Sequence, residues 1–168
     1  MQGLSRFLAG LFLVSVVSVA GAAEKISIRD YCDPADPLWA PTGGCLLKEG
    51  DVTFAEFTDL LDSVLSPTVV GHPAWRFEPS FLSIEEPHQT VRVTNNGGRG
   101  HTFTEVAEFG GGFVPSLRVG LKMAPECASA TMIAPGDKVE LRGLSPGDHR
   151  FQCCIHSWMH ALIKVQPD

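Results

Sequence analysis

Alternation of apolar and polar side chains dominates the second half of the chain. From Phe77 onward, short segments alternate with a period of two, which is typical of β-strands with one buried face. Turn-forming sequences separate these segments, among them Ala134-Pro135-Gly136-Asp137 and Ser145-Pro146-Gly147-Asp148. The predicted strands cover residues 81–84, 90–94, 102–106, 138–141, 149–153 and 161–166. Strands of this length and spacing predict an all-β sandwich.

One amphipathic helix is predicted before these strands. Thr53 and Glu56 are spaced as a capping box, and Val52 and Phe57 as a hydrophobic staple. The Ser66-Pro67 pair ends the pattern. Apolar residues recur at helical spacing between these signals, at Phe54, Phe57, Leu61, Val64 and Leu65.

The first residues of the chain are predicted to be a secretory signal. Arg6 supplies the positive charge, and an apolar run from Phe7 to Ala20 follows it. This run is shorter than the roughly 20 residues that a membrane-spanning helix needs, so no membrane span is expected. Ala20-Gly21-Ala22 favours cleavage after Ala22 or Ala23.

The chain of 168 residues therefore divides into three predicted parts. These are a signal peptide (1–23), an N-terminal extension with a disulfide loop and one helix (24–73), and a β domain (74–168). Hydrophobic residues make up 44% and charged residues 19% of the chain, which suits a globular core. The formal charge of -6 becomes -7 without Arg6, and no basic stripe is present, so nucleic acid is not an expected partner.

Five cysteines in an exported chain imply disulfides, because the compartment is oxidising. The number is odd, so one thiol is expected to have another role. The segment around Cys32 and Cys45 is rich in Pro, Gly and Asp and is interpreted as a loop closed by their disulfide. If Cys153 is the unpaired thiol, four cysteines allow three pairings, of which we favour Cys32–Cys45 with Cys127–Cys154.

The segment Cys153-x-x-His156-x-x-Met159 brings a thiolate, an imidazole and a thioether close together. Soft sulfur ligands with imidazole select copper, and one Cys with two His and a weak axial Met is the blue-copper pattern. A second histidine must come from elsewhere, and His101 is the candidate. The alternative is that the cysteines are structural and that His156 is a surface residue.

Cys153 and Cys154 are adjacent, so the metal ligand must be chosen between them. Successive side chains of a strand point to opposite faces, which puts Phe151 and Cys153 on one face and Cys154 on the other. Cys153 also leaves two residues before His156, whereas Cys154 leaves one. We therefore predict Cys153 as the ligand.

With these residues in place, residues 79–166 resemble a cupredoxin of the plastocyanin/azurin kind with an amicyanin-like short ligand loop. The resemblance implies a Greek-key β-sandwich that holds one type 1 copper with His101, Cys153, His156 and Met159. It also implies that His156 lies at the surface in an apolar patch, with Ile155 and Trp158 as candidates, and passes the electron. The alternative for Trp158 is that it packs inward and supports the loop.

Two departures from the cupredoxin pattern concern the ligand loops. Thr102 stands where cupredoxins often have an Asn that ties the loops together, and its hydroxyl can replace part of that bonding. Ser157 stands where amicyanins usually have a Pro after the loop histidine, which predicts a less rigid loop. His160 is expected to face solvent, and His72, His88 and His149 lie outside the motif.

The predicted function is single-electron transport by an exported copper protein, periplasmic or secreted. Redox partners are expected to dock near His156 and Trp158, and a monomer is expected. The alternative is a copper storage or delivery protein without a shuttle role. An enzyme is not expected, because the chain has no His-x-His for further coppers and no pair of cysteines separated by three residues for a dinuclear site.

Overall fold

The computed structural model describes residues 23–47, 49–63, 75–85, 89–118 and 120–167. The predicted signal peptide lies almost wholly outside the described residues. The strands are β1 Glu24–Arg29, β2 Arg76–Glu78, β3 Phe81–Ile84, β4 Val91–Asn95, β5 His101–Thr102, β6 Thr104–Val106, β7 Met132–Ile133, β8 Lys138–Leu141, β9 Gly147–Gln152 and β10 His160–Val165. The helix α1 covers Phe54–Ser63, and 3-10 helices cover Pro37–Thr42, Pro115–Leu117 and Pro125–Ser129.

The described strands form two four-stranded sheets and one short ladder. The first sheet has the order β2-β1-β4-β8, the second has the order β3-β10-β9-β6, and β5 pairs with β7. The β1–β4 and β3–β10 pairs are parallel and the other pairs within the sheets are antiparallel. The two sheets, with one α-helix among the described residues, confirm the predicted all-β sandwich.

The core lies between the two sheets and follows the predicted alternation. Ile26 and Ile28 on β1 and Val91 and Val93 on β4 are buried, whereas their chain neighbours are more exposed. The ring of Phe103 stacks on Phe151 of β9 with centroids 4.5 Å apart and meets Phe77 of β2 edge-on at 4.8 Å. These rings join strands of both sheets.

The assignment of residues 24–73 to an extension outside the sandwich is wrong at its first strand. Residues Glu24–Arg29 form β1, which lies between β2 and β4 in the first sheet. The sequence carried a signal for this strand, because Ile26 and Ile28 alternate with Lys25, Ser27 and Arg29. This signal covers only six residues, and the loop and helix signals that follow it directly are longer.

The predicted strand 102–106 is divided in two. His101 and Thr102 pair with β7, whereas Thr104–Val106 pair with β9 in the second sheet. The chain therefore changes its pairing partner at Phe103, from β7 to β9. This change of ladder sets His101 beside the carboxyl end of β9.

The helix α1 begins as its sequence predicts. The Thr53 Oγ1 accepts the Glu56 N–H at 3.2 Å, and the Thr53 N–H donates to the Glu56 carboxylate at 2.9 Å, which completes the capping box. Phe57 is buried and Phe54 is half-buried, whereas the predicted end at Ser66-Pro67 lies outside the described residues. None of the described helices is long and apolar enough to cross a membrane.

His149 links β9 to its neighbours and gives the fold a pH dependence. Its Nδ1 lies 2.6 Å from the Glu105 carboxylate and its Nε2 lies 2.7 Å from the Ser145 carbonyl oxygen. Burial lowers the pKa of His149, but these two acceptors outweigh it and raise the pKa above its ordinary value. Both acceptors are satisfied together only by the protonated ring.

We expect this histidine to stabilise the protein below the unfolded-state pKa of about 6.5 and to lose that effect as pH rises through the higher folded pKa. His149→Gln should therefore cost about 1 kcal/mol of unfolding free energy in mild acid and less above neutral pH. Urea unfolding of both proteins across this pH range measures the difference. Glu105→Gln is the matched control, because it removes the negative charge that faces His149. A loss of unfolding free energy in His149→Gln that does not change with pH would contradict the ion pair.

Candidate metal centre

Three side chains from different parts of the chain converge at one end of the sandwich. His101 comes from β5, Cys153 follows β9, and His156 lies in the loop from Cys153 to Met159 that joins β9 to β10. Their donor atoms all lie within 4.8 Å of one another. His101 and Cys153 have no solvent exposure and His156 has 6%, so the three donors face one another in the protein interior.

The distances between the donors fit a single metal ion. The Cys153 Sγ is 3.8 Å from the His101 Nδ1 and 3.7 Å from the His156 Nδ1, and the two nitrogens are 3.1 Å apart. Bonds of about 2.0 Å to imidazole and 2.3 Å to thiolate at trigonal angles would place sulfur and nitrogen about 3.7 Å apart, as observed, and the two nitrogens about 3.5 Å apart. The observed separation of the nitrogens is shorter and corresponds to a narrower angle of about 100° between the two imidazole bonds. The residues present therefore fit a trigonal metal with one sulfur and two nitrogen ligands.

Backbone hydrogen bonds fold the loop so that it presents these donors. The Cys153 N–H donates to the Met159 carbonyl oxygen at 3.0 Å, and the Met159 N–H donates to the His156 carbonyl oxygen at 2.9 Å. Met159 is fully buried and belongs to the same core cluster as Cys153. The predicted fourth ligand thus lies on the closed loop.

The environment of Cys153 favours the thiolate. Burial raises the pKa of this thiol, but the imidazoles of His101 and His156 outweigh burial and hold the pKa well below its ordinary value. The sulfur also accepts the backbone N–H of Thr102 at 3.4 Å and that of His156 at 3.5 Å. A thiolate is the form that binds metal.

Asp30, just after β1, holds His101 from the side away from the sulfur. Its Oδ1 lies 2.6 Å from the His101 Nε2, and its Oδ2 accepts the N–H groups of Gly98 and Arg99 at 2.8 and 2.9 Å. Asp30 is only 5% exposed. This carboxylate fixes the ring so that Nδ1 faces the metal site, as outer-shell carboxylates do for metal-bound histidines.

The pair of Asp30 and His101 also sets the charge of the metal-free site. Burial lowers the pKa of His101, but Asp30 and Cys153 raise it to about 9. Burial raises the pKa of Asp30, but His101 and two backbone N–H groups hold it below its ordinary value. Asp30 was not predicted as part of the site, because it lies 71 positions from His101 and no local spacing links the two.

Thr102 ties the two ligand segments together. Its Oγ1 accepts the Cys154 N–H at 2.7 Å, and its own N–H reaches the Cys153 sulfur. The expectation that this hydroxyl replaces part of the bonding of an Asn is confirmed. Ser157 is buried and its hydroxyl donates to the Leu117 carbonyl oxygen at 2.7 Å, so the loop is anchored although it lacks a Pro.

The cysteines are paired as predicted. Disulfides join Cys32 to Cys45 and Cys127 to Cys154, and Cys153 is free and buried. Cys153 belongs to the main core, whereas Cys154 packs with Cys127, Val106 and Ala124 in a smaller cluster. The two adjacent cysteines therefore face opposite sides of the chain, as the strand period requires.

The expectation that His156 and Trp158 lie in an exposed patch is wrong, and the alternative that Trp158 packs inward is confirmed. Trp158 is 4% exposed, and its ring packs 5.4 Å from Phe57 and 6.2 Å from Trp75. His160, predicted to face solvent, is 2% exposed and stacks on Phe109 with centroids 4.0 Å apart. His72 and His88 lie outside the described residues, and His149 lies apart in its ion pair with Glu105.

Comparison with known proteins gives structural likenesses only. No family model and no curated protein matches the chain. A purple cupredoxin from Nitrosopumilus maritimus is 18% identical, with 85% of this chain and 99% of that chain covered and a TM-score of 0.42. A reduced amicyanin variant is 18% identical, with 63% of this chain and 89% of that chain covered and a TM-score of 0.39. These values are low, so the candidate metal centre rests on the chain's own geometry.

Proposed function

We propose that this chain is an exported type 1 copper protein that carries single electrons between redox partners. The main support is that the His101 Nδ1, Cys153 Sγ and His156 Nδ1 lie 3.1–3.8 Å from one another. Met159 is buried at the end of the loop that contains His156. A thiolate with two imidazoles and a weak thioether is the donor set that suits both Cu(I) and Cu(II). Bound copper would supply one-electron chemistry by alternating between these two states.

The chain's own residues hold the site in one shape during this exchange. Asp30 fixes the His101 ring, and Thr102 holds both the Cys153 sulfur and the Cys154 backbone. The core around the three donors excludes water, so the polar groups that face the site are fixed in the folded protein. A site that does not rearrange between oxidation states needs little reorganisation to gain or lose an electron.

Burial favours electron transport over copper delivery. A delivery protein must release its metal to an acceptor, which requires that the ligands be reachable. Here all three donors are buried, and His101 and Cys153 have no exposed surface. The two disulfides support an exported location, periplasmic or secreted, because disulfides persist in oxidising compartments.

Loading with Cu(II) tests the proposal directly. One equivalent per chain should produce an intense visible thiolate-to-copper band that disappears on reduction and returns on reoxidation. Metal content measured after repeated cycles should stay at one copper per chain. Loss of copper on reduction, or binding of several coppers without the band, would favour storage or delivery instead.

Copper binding should release a proton near neutral pH. In the metal-free protein the pKa of His101 is about 9, so the ring is protonated at pH 7, and a metal ligand must lose that proton. The two imidazoles hold the pKa of Cys153 well below its ordinary value, which favours the thiolate before metal binds. We expect about one proton released per copper at pH 7, and an affinity that rises about tenfold per pH unit until pH approaches 9.

Calorimetric titration in two buffers of different ionisation enthalpy counts this proton. Asp30→Asn is the matched variant, since it removes the charge that raises the pKa of His101 and should move the pH dependence to lower pH. Binding without proton release at pH 7 would show that His101 is neutral in the metal-free protein.

A further inference from the structure

Aromatic rings from outside the ligand loop cover His156. Trp75, just before β2, meets the His156 ring edge-on, with centroids 4.9 Å apart and planes at 84°. Trp75 is 5% exposed and His156 is 6% exposed. The edge of His156 that would otherwise face solvent is therefore in contact with an indole of the same chain.

Trp75 belongs to a packed group of four rings, here termed the aromatic cap: Trp39, Phe57, Trp75 and Trp158. Phe57 of α1 lies 5.4 Å from both Trp75 and Trp158. Trp39 stacks on the Trp75 indole at 5.7 Å and is 1% exposed. Three of the four rings come from residues 39–75, ahead of the ligand-bearing strands in the sequence.

Further contacts hold the cap in place. The Trp39 Nε1–H donates to the Val52 carbonyl oxygen at 3.1 Å. The Arg99 guanidinium lies 5.4 Å from the Trp75 ring and donates to the Gly44 carbonyl oxygen at 2.5 Å. Trp75 itself has a φ of +47°, a left-handed conformation that is unusual for a bulky residue and persists only when its surroundings impose it.

We propose that the aromatic cap controls access to the copper site through His156. This inference rests on the proposed function, and it replaces the expectation that a partner touches the loop histidine. Bound copper would supply one electron per cycle to a one-electron acceptor, with no proton or bond exchanged, and that acceptor would have to approach His156 across the cap. Solutes that bind or remove copper are kept from the His156 side by the same rings.

Metal-free protein tests the cap without copper chemistry. Diethyl pyrocarbonate modifies accessible imidazoles, and peptide mass mapping locates the modified residues. In the wild-type protein His156 should react slowly, and Trp75→Ala should accelerate its modification several-fold. His101 is the internal control, because it is held by Asp30 beneath the loop and should stay unreactive in both proteins.

Copper-loaded protein tests the consequence for electron exchange. Trp75→Ala should keep the visible band, speed electron self-exchange measured by NMR line broadening several-fold, and speed copper loss to a chelator. Phe81→Ala is the matched control, since this ring is 55% exposed and outside the cap, and it should leave both rates unchanged. Trp75→Phe keeps a ring over His156 and should remain close to the wild type.

Equal His156 modification and equal exchange rates in Trp75→Ala and wild type would overturn the inference. Phe57→Leu removes a cap ring at nearly constant volume and decides the matter if Trp75→Ala does not fold. If copper-loaded wild-type protein showed no visible band, the proposed function would be refuted but the cap would not. The modification rates in metal-free protein would still report whether the cap covers His156.

Discussion

Replacement of Cys153 by serine should abolish the visible band of the copper-loaded protein. The sulfur is the soft donor of the site and lies 3.7–3.8 Å from both imidazole nitrogens, so no other described thiolate can take its place. A hydroxyl is a harder and far less acidic donor, and it loses the charge transfer that gives the band its intensity. We expect complete loss of the band and a large loss of copper affinity, measured by visible spectroscopy and competition with a chelator.

The disulfide cysteines supply the control for this change. The double variant Cys127→Ser and Cys154→Ser removes the neighbouring disulfide and should keep the band. Its unfolding free energy should fall by about 3–4 kcal/mol in the chain-entropy model, for a sequence separation of 27. A band that survives in Cys153→Ser and disappears in the double variant would show that the ligand was assigned to the wrong cysteine.

Replacement of Asp30 by alanine should be the most destabilising single change at the site. It removes the acceptor for the His101 Nε2–H and for the N–H groups of Gly98 and Arg99, all in a buried region. Removal of one partner from a buried ion pair costs about 3–5 kcal/mol, because the other partner stays buried without compensation. Urea unfolding of the metal-free protein measures this cost.

Copper binding should report the same loss independently of stability. Without Asp30 the His101 ring is no longer fixed, and loss of such an outer-shell partner typically lowers metal affinity about 10–100-fold. Asp30→Asn keeps the shape but removes a negative charge beside the site, so it should raise the reduction potential by destabilising Cu(II). Asp137→Ala, at an exposed carboxylate, is the control. An unchanged affinity and potential in both Asp30 variants would mean that this carboxylate only supports the fold.

Local periodicity was enough to predict the ligand loop. The strand period of two separates Cys153 from Cys154, and the short spacing to His156 and Met159 leaves the chain few ways to arrange them. The odd cysteine number predicted one free thiol, and Cys153 is free. The capping box likewise predicted where α1 begins, because its hydrogen bonds join residues only three apart.

Contacts between distant segments were not predictable in the same way. Asp30 meets His101 only because β1 lies beside β4 in parallel, and nothing near His101 in the sequence indicates a carboxylate from that strand. Trp158 was predicted at the surface because the resemblance to cupredoxins implies an apolar patch around the loop histidine. Its burial depends on Phe57 and Trp75, which arrive from elsewhere in the chain.

The sequence by itself thus determined the order and the faces of Cys153, His156 and Met159, since these follow from backbone geometry over a few residues. That His101 meets Cys153 and His156 was decided by the tertiary structure, which places β5 beside the carboxyl end of β9. The tertiary structure also decided which groups fix those side chains and which molecules can approach them. Asp30 behind His101 and Trp75 in front of His156 both come from segments far away along the chain. Contacts of this kind depend on how the strands are ordered in the sheets, and that order is set by burial of the whole core and not by any local pattern.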